Sequence, residues 1–97
     1  MAIEHENDPN TSGEEMSKLS WMAVPLKVLI TYPRSGPEER QLLNRYSRIL
    51  AGAGAAASNG YQLVIFGLPG LGQGARWKAY VYSAEDDRFN ALEAQDT

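Results

Sequence analysis

Apolar and polar residues alternate in two segments of the chain, and alternation with period two is typical of a β-strand whose two faces differ. One side of the first segment is apolar and comprises Met22, Val24, Leu26, Val28, Ile30 and Tyr32. Lys27 and Thr31 fall on the opposite side, which indicates that this side is at least partly wet. Pro25 interrupts the run and predicts two strand pieces or one strand with an edge bulge, because proline donates no ladder hydrogen bond.

Two later segments also predict strands. Tyr61 to Phe66 is rich in β-forming residues and apolar on both faces, which is typical of a central strand. Arg76 to Ser83 is the second segment that alternates cleanly, with Trp77, Ala79 and Val81 on one face and Arg76, Lys78, Tyr80 and Tyr82 on the other. Between these strands, Gly67 to Ala75 contains four glycines and one proline and predicts a long hairpin loop.

Residues 36–50 have the period of an amphipathic helix. Ser35 and Glu38 have the spacing of a capping box, and Pro37 suits the first helical turn. The apolar side of this helix is formed by Leu42, Tyr46, Ile49, Leu50 and Ala53. The outer side is polar and mostly basic and is formed by Arg40, Gln41, Asn44, Arg45 and Arg48.

The two ends of the chain have weaker patterns. Residues 1–15 are polar, acidic and broken by Pro9 and Gly13, so we expect a disordered tail there. Ser83 to Asp86 resembles a helix start, and Phe89 and Leu92 would dock a short C-terminal helix. Residues 94–97 are expected to fray.

These elements follow in the order β-α-β-β-α, with an extra N-terminal strand if Pro25 divides the first. The order predicts one α+β domain over residues 17–93, with a small, mainly antiparallel sheet, one long amphipathic helix and one short C-terminal helix. A chain of 97 residues has room for one small domain.

The charges are sorted by region. Residues 1–15 carry five acidic residues and no Lys or Arg, and residues 84–97 carry five acidic residues beside Arg88. Residues 16–83 carry eight Lys or Arg and only two Glu, so a basic centre lies within a chain of net charge −3. A basic folded surface attracts polyanions, and acidic ends can compete for that surface.

The strand 76–83 is the leading candidate for a binding site. Its face of Arg76, Lys78, Tyr80 and Tyr82 combines cations that hold phosphates with rings that stack on bases, as sheet surfaces that bind single-stranded nucleic acid do. The alternative is an ordinary solvent face of an antiparallel sheet. Over about residues 26–93 the order of elements resembles an RNA-recognition-motif domain, with Arg76, Ala79, Tyr80 and Val81 matching the third-strand signature and Trp77, Lys78 and Ser83 departing from it.

Two further groups are candidates for contact with a partner. Arg40, Asn44, Arg45 and Arg48 on the outer side of the helix suit phosphates or an acidic protein patch, and a solvated helix face is the plainer interpretation. Leu68 and Leu71 lie in the glycine-rich loop and would be exposed apolar anchors. The loop has no Lys for a phosphate-binding P-loop, and a strand rather than a helix follows it.

Catalytic and metal chemistry have no good candidates in the sequence. His5 is the only histidine, there is no cysteine, and adjacent carboxylates at 85–87 suit a helix start better than a metal. We therefore expect a non-enzymatic protein without metal or cofactor.

The leading hypothesis is a small protein that binds single-stranded nucleic acid. The alternative is a small inhibitor or adaptor that docks on another protein, its acidic segments mimicking nucleic acid. With no secretory signal, no long apolar run and no cysteine, we expect a cytoplasmic protein without contact to a membrane.

Overall fold

Five strands form one sheet, and they lie side by side in the order in which they occur along the chain. The strands are β1 (Ala2–Glu6), β2 (Leu26–Thr31), β3 (Tyr61–Leu68), β4 (Arg76–Ser83) and β5 (Arg88–Leu92). Two helices, α1 (Ser12–Ser20) and α2 (Gly36–Ala53), connect the first three strands, and a short 3-10 turn, Pro9–Thr11, precedes α1. The computed structural model describes residues 1–54, 60–68 and 76–92.

The sheet is mixed, which corrects the prediction of a mainly antiparallel sheet. β1 pairs with β2 and β2 pairs with β3 in parallel, while β3–β4 and β4–β5 are antiparallel. Parallel neighbours need a long crossover, and α1 and α2 provide the two crossovers. The α+β class is confirmed, and the β-α-β-β core of the predicted order recurs in β2, α2, β3 and β4.

Residues 1–15 are not a tail in the structure, contrary to the prediction. Their backbone completes the sheet as β1, and the Thr31 hydroxyl donates a hydrogen bond of 2.7 Å to the Glu6 carbonyl. Residues 12–15 begin α1, which buries Met16 and Leu19 completely. Lys18 forms ion pairs with both Glu4 and Glu15. Two of the acidic residues that led to the prediction of a disordered tail are therefore neutralised within the fold. The extra N-terminal strand is therefore β1, and not the segment before Pro25.

Helix α2 is confirmed, and it extends to Ala53. The Ser35 hydroxyl caps its start by accepting a 3.1 Å hydrogen bond from the Glu38 N–H. The Glu38 carboxylate turns away from the expected capping box and accepts from the Arg34 N–H at 2.7 Å, which lowers the pKa of Glu38. Leu42, Tyr46 and Leu50 are buried, as the helical period predicts.

The predicted C-terminal helix is absent from the described residues, and β5 takes its place. Residues 84–87 form a turn in which Asp87 has a φ of 51° and the Ser83 hydroxyl donates to Asp86. Serine and aspartate favour tight turns and helix starts for the same reason, since their side chains bond to nearby backbone. The resemblance to an RNA-recognition-motif topology ends here, since a strand follows where a helix is expected. Residues 94–97 lie outside the described part.

Both helices pack on one side of the sheet, where the core lies. The core consists of Met16, Leu19, Leu29, Leu42, Tyr46, Leu50, Val64 and Phe66. Leu29 of β2 belongs to this core. Lys27 and Thr31 lie on the same side of the strand as Leu29 and are 1% and 0% exposed. The prediction that this side of β2 is wet is therefore wrong.

Candidate functional site

The sheet has a second side, away from α1 and α2, which we call the open face. Strand alternation and the register place on it the apolar side chains Ile3, Leu26, Val28, Ile30, Leu63, Ile65, Trp77, Ala79, Val81 and Leu92. Its polar members are His5, Tyr61, Ser83, Arg88 and Asn90. Neither helix covers this layer of carbon-rich side chains.

The orientation of β4 follows from its hydrogen bonds. Lys78 and Tyr80 both reach Glu39 of α2, with Lys78 Nζ 3.5 Å and the Tyr80 hydroxyl 3.3 Å from Oε1. Even-numbered residues of β4 therefore face the helices, and Trp77, Ala79 and Val81 face the other way. Trp77 is 55% exposed, which is unusual for the largest apolar side chain of a sheet.

An aromatic group closes one end of the open face. Tyr32 lies between His5, whose Nε2 is 2.5 Å from the Tyr32 hydroxyl, and Trp77, whose ring centroid is 6.2 Å away. The Tyr32 ring also covers Gly67, where a β-carbon would come within 2.5 Å of Tyr32 Cε1. A glycine near the end of β3 thus allows the close approach of the Tyr32 ring to the strand.

A depression of about 840 Å³ lies beside Trp77. Its lining residues are Ile30, Ile65, Trp77, Lys78, Ala79, Tyr80, Ala91 and Leu92. Ala79 pairs with Ile65 on one side and Leu92 on the other, so a small side chain stands among larger ones. The result is a hollow with apolar walls that fits a bulky apolar group.

The four residues predicted to bind nucleic acid share one face of β4, but that face lies under α2. Tyr80 and Tyr82 are half-buried, and their rings pack against Phe66 and Phe89. Burial raises the pKa of Tyr80, and burial together with the Asp87 carboxylate raises the pKa of Tyr82 to about 12. Arg76 and Lys78 remain exposed on this face of β4, but the two tyrosines that share it are half-buried.

The basic side of α2 is where the helical period places it. Arg40, Asn44, Arg45 and Arg48 are all exposed, and in residues 1–54, 60–68 and 76–92 the three arginines make no ion pair. Leu68 is not in a loop, since it ends β3 and is half-buried. Leu71 and the rest of the predicted loop after Leu68 lie outside the described residues.

The buried polar groups are structural. The hydroxyls of Ser12 and Tyr46 form a hydrogen bond of 2.5 Å in the core, and burial raises the pKa of Tyr46 to about 12. Lys27 donates to the Ser20 carbonyl at the end of α1, and burial lowers its pKa. Within the described ranges, no group of three or more His, Cys, Asp or Glu side chains is placed to hold a metal ion.

Comparison with protein-family models, with curated proteins and with solved structures gives no match to this chain. Across the described ranges, neither helix combines the length and the apolar character that crossing a bilayer requires. The open face therefore has to be interpreted from its own chemistry.

Sequence reasoning missed the open face as a site because it took apolar alternation as evidence of a core. One signal pointed to it: β3 is apolar on both faces, and a strand of that kind is normally covered on both sides. Val28, Ile30 and Leu63 continue this second apolar side across neighbouring strands.

Proposed function

We propose that this protein is a small, non-enzymatic interaction protein whose open face packs against another polypeptide chain. The observation that carries the proposal is the orientation of β2 and β4 relative to the helices. In both strands the more apolar side of the alternation faces away from the helices, while Lys27, Thr31, Lys78 and Tyr80 face them. Natural strands that put their most apolar side outward are expected to be covered in the working state.

The extent of the open face supports the proposal. Strands about 4.8 Å apart, with about 3.3 Å per residue, give five strands of about six residues a flat area near 480 Å². The largest apolar patch on a single protein chain typically covers about 300–600 Å² and is often functional. Ile3, Trp77 and Leu92 are 53%, 55% and 47% exposed, so apolar surface reaches from one edge strand to the other.

The chemistry of the face favours a polypeptide over a nucleic acid. Arg88 is its one charged side chain in the described part of the chain, and phosphates are bound chiefly by Lys and Arg. The centre is aliphatic, with Val28, Ile30, Leu63 and Ile65, and offers no donors for base edges. The buried core of a protein–protein interface is apolar, poor in charge and enriched in aromatic residues, and the open face with Trp77 matches the first two properties and part of the third.

A pair of lysine variants tests the proposal. Ile65→Lys places a charge at the centre of the open face, and Gln41→Lys places the same charge on the exposed side of α2. Each variant, checked for folding by circular dichroism, is compared with the wild type for self-association and for capture of nuclease-resistant partners from source cells. We expect Ile65→Lys to lose complexes that Gln41→Lys retains. Equal behaviour of both variants in both assays would overturn the proposal.

Binding of a polyanion through the basic side of α2 is a second candidate. It is favoured by Arg40, Arg45 and Arg48, which are exposed and without acidic partners among the described residues. Oligonucleotide binding should then weaken steeply as salt rises, and replacing the three arginines with glutamine should lower the salt dependence. Tyr80→Ala tests the nucleic-acid site predicted on β4, since stacking of a base on Tyr80 would make this change cost about 1–3 kcal/mol of binding. No oligonucleotide binding at low salt would exclude both nucleic-acid sites.

A further inference from the structure

We propose that the chain occupying the open face is a second copy of this protein, packed face to face in a twofold symmetric sandwich of two sheets. The inference rests on the proposed function, because it names the partner of the same surface. Three properties of the open face support it: its scarcity of charged side chains, the position of its centre and its area.

The first property is charge. Docking between different proteins is commonly directed by complementary charges, which fix partner and register. The described part of the open face has no Asp, Glu or Lys, and Arg88 lies at one end of the edge strand β5. A twofold interface needs only a surface that matches itself, and two copies of this face meet without like charges at the centre.

The second property is the position of the centre of the open face. Ile65 lies midway along β3, and β3 is the third of five strands, so Ile65 stands at the centre of the face. If two copies overlap fully, the twofold axis must pass through this centre, whichever way it runs within the interface plane. Ile65 then meets the partner's Ile65, next to the hollow over Ala79 that large apolar side chains of the second copy can fill.

The third property is area. A flat area near 480 Å² for each copy gives about 960 Å² for two, close to the lower limit of about 1,000 Å² for specific interfaces. Such an interface is expected to dissociate on dilution. Trp77 lies within it, and tryptophan is the residue type most enriched among interface hot spots.

Sedimentation equilibrium on the full chain tests the proposal directly. Over about 1 μM to about 1 mM, where interfaces of this size dissociate, the mass should rise from that of one chain to twice 10.7 kDa. Ile65→Lys should remain a folded monomer at every concentration, and Gln41→Lys should follow the wild type. Wild type that stays at the mass of one chain throughout would overturn the second copy as occupant.

A cross-linking experiment tests the centre of symmetry. The chain has no cysteine, so Ile65→Cys introduces a single thiol. Facing sheets lie about 10 Å apart, so a short bis-maleimide should join two Ile65→Cys chains at least tenfold faster than two Gln41→Cys chains. Equal rates in the two variants would exclude the face-to-face arrangement.

The outcomes separate this inference from the function on which it rests. A monomeric wild type whose capture of a foreign protein is abolished by Ile65→Lys would overturn the second copy and keep the interaction function. A monomeric wild type whose capture is unaffected by Ile65→Lys would overturn both. Doubling of the mass together with fast Ile65→Cys cross-linking would support both.

Discussion

The two sides of the sheet differ in composition, since the helix side buries polar side chains among those of the core. The helix side contains Lys27, Thr31 and Gln62, all at most 3% exposed, whereas the open face is aliphatic at its centre. Lys27 and Thr31 are tolerated on the helix side because backbone carbonyls accept hydrogen bonds from them, and Gln62 donates from Nε2 to the Lys27 carbonyl. The polarity of a side chain therefore does not by itself decide whether this chain buries it.

The partners on the helix side come mainly from backbone and helix residues. Thr31 donates to the Glu6 carbonyl, Lys27 to the Ser20 carbonyl, and Lys78 and Tyr80 to Glu39. A buried polar group without a partner costs free energy, so these side chains specify how α1, α2 and the sheet fit together. The aliphatic centre of the open face has no polar side chain that needs such pairing.

The largest effect should come from deleting the same atoms on the two sides. Leu29→Ala removes a fully buried side chain of the core and should cost about 2–5 kcal/mol of unfolding free energy. Leu63→Ala lies on the open face, where Leu63 is half-buried, and should cost about 1 kcal/mol in dilute solution because no closed cavity forms. Urea denaturation at low protein concentration measures both.

Equal costs for Leu29→Ala and Leu63→Ala in dilute protein would break the comparison, since the open face would then belong to the core of the single chain. A cost of Leu63→Ala that grows with protein concentration would sharpen the comparison, because assembly would add to the burial of that side chain.

High pH should lower the free energy of unfolding through Tyr46, which is buried on the helix side of the sheet. The unfolded chain loses this proton above its ordinary pKa of 10.0, while burial holds the folded pKa at about 12. The stabilisation is complete below pH 10 and falls by about 1.4 kcal/mol per pH unit up to pH 12. Tyr46→Phe should reduce this slope in denaturation curves between pH 9 and pH 12.

Tyr61→Phe is the matched control, because Tyr61 lies on the open face and is 68% exposed. It should leave the wild-type slope in place, including the part that comes from Tyr82, whose pKa is also raised to about 12. A slope that Tyr46→Phe leaves unchanged would place the loss of stability elsewhere in the molecule.

Gly67→Ala should test how closely the Tyr32 ring packs against β3. The added carbon would lie 2.5 Å from the Tyr32 ring, which must move and lose its bond to His5, at a cost of about 1 kcal/mol. Gly52→Ala is the contrasting change, since nothing lies within 4 Å and a helical glycine is replaced. It should stabilise the chain by about 0.5–1 kcal/mol. A melting temperature higher for Gly67→Ala than for Gly52→Ala would contradict the placement of Tyr32.

The smallest effect is expected at the ion pair between Lys78 and Glu39. The Lys78 side chain is 53% exposed, so Lys78→Gln should cost less than about 1 kcal/mol. Urea denaturation at low and high salt checks this value. A cost above 2 kcal/mol would show that charge pairing, and not apolar packing, holds α2 to the sheet.

Much of the fold could be read from local patterns. The cap at Ser35, the apolar side of α2 and the bounds of β4 follow from spacing within a few residues, and the structure confirms them. β1 could not be predicted in this way, because its pairing with β2 depends on contacts far along the chain. Residues 84–87 gave the wrong element since their turn and helix-start preferences coincide.

The candidate site could be predicted only in part. Alternation correctly separated Arg76, Lys78, Tyr80 and Tyr82 from Trp77, Ala79 and Val81, but it could not say which side the helices would cover. That choice is made by crossover connections and by Glu39, which accepts hydrogen bonds from Lys78 and Tyr80. A tertiary contact of this kind leaves no periodic trace in the sequence.

The parallel pairing of β1 with β2 has a consequence for the order of folding. β4 and β5 are joined by a short turn and can zip together locally, whereas Ala2 must find Lys27 across the whole of α1. Closing the longer segment costs more chain entropy, so β1 is expected to join the sheet after the β4–β5 hairpin has formed. Until β1 joins, β2 exposes an unpaired edge, and such an edge is a template for pairing with another chain.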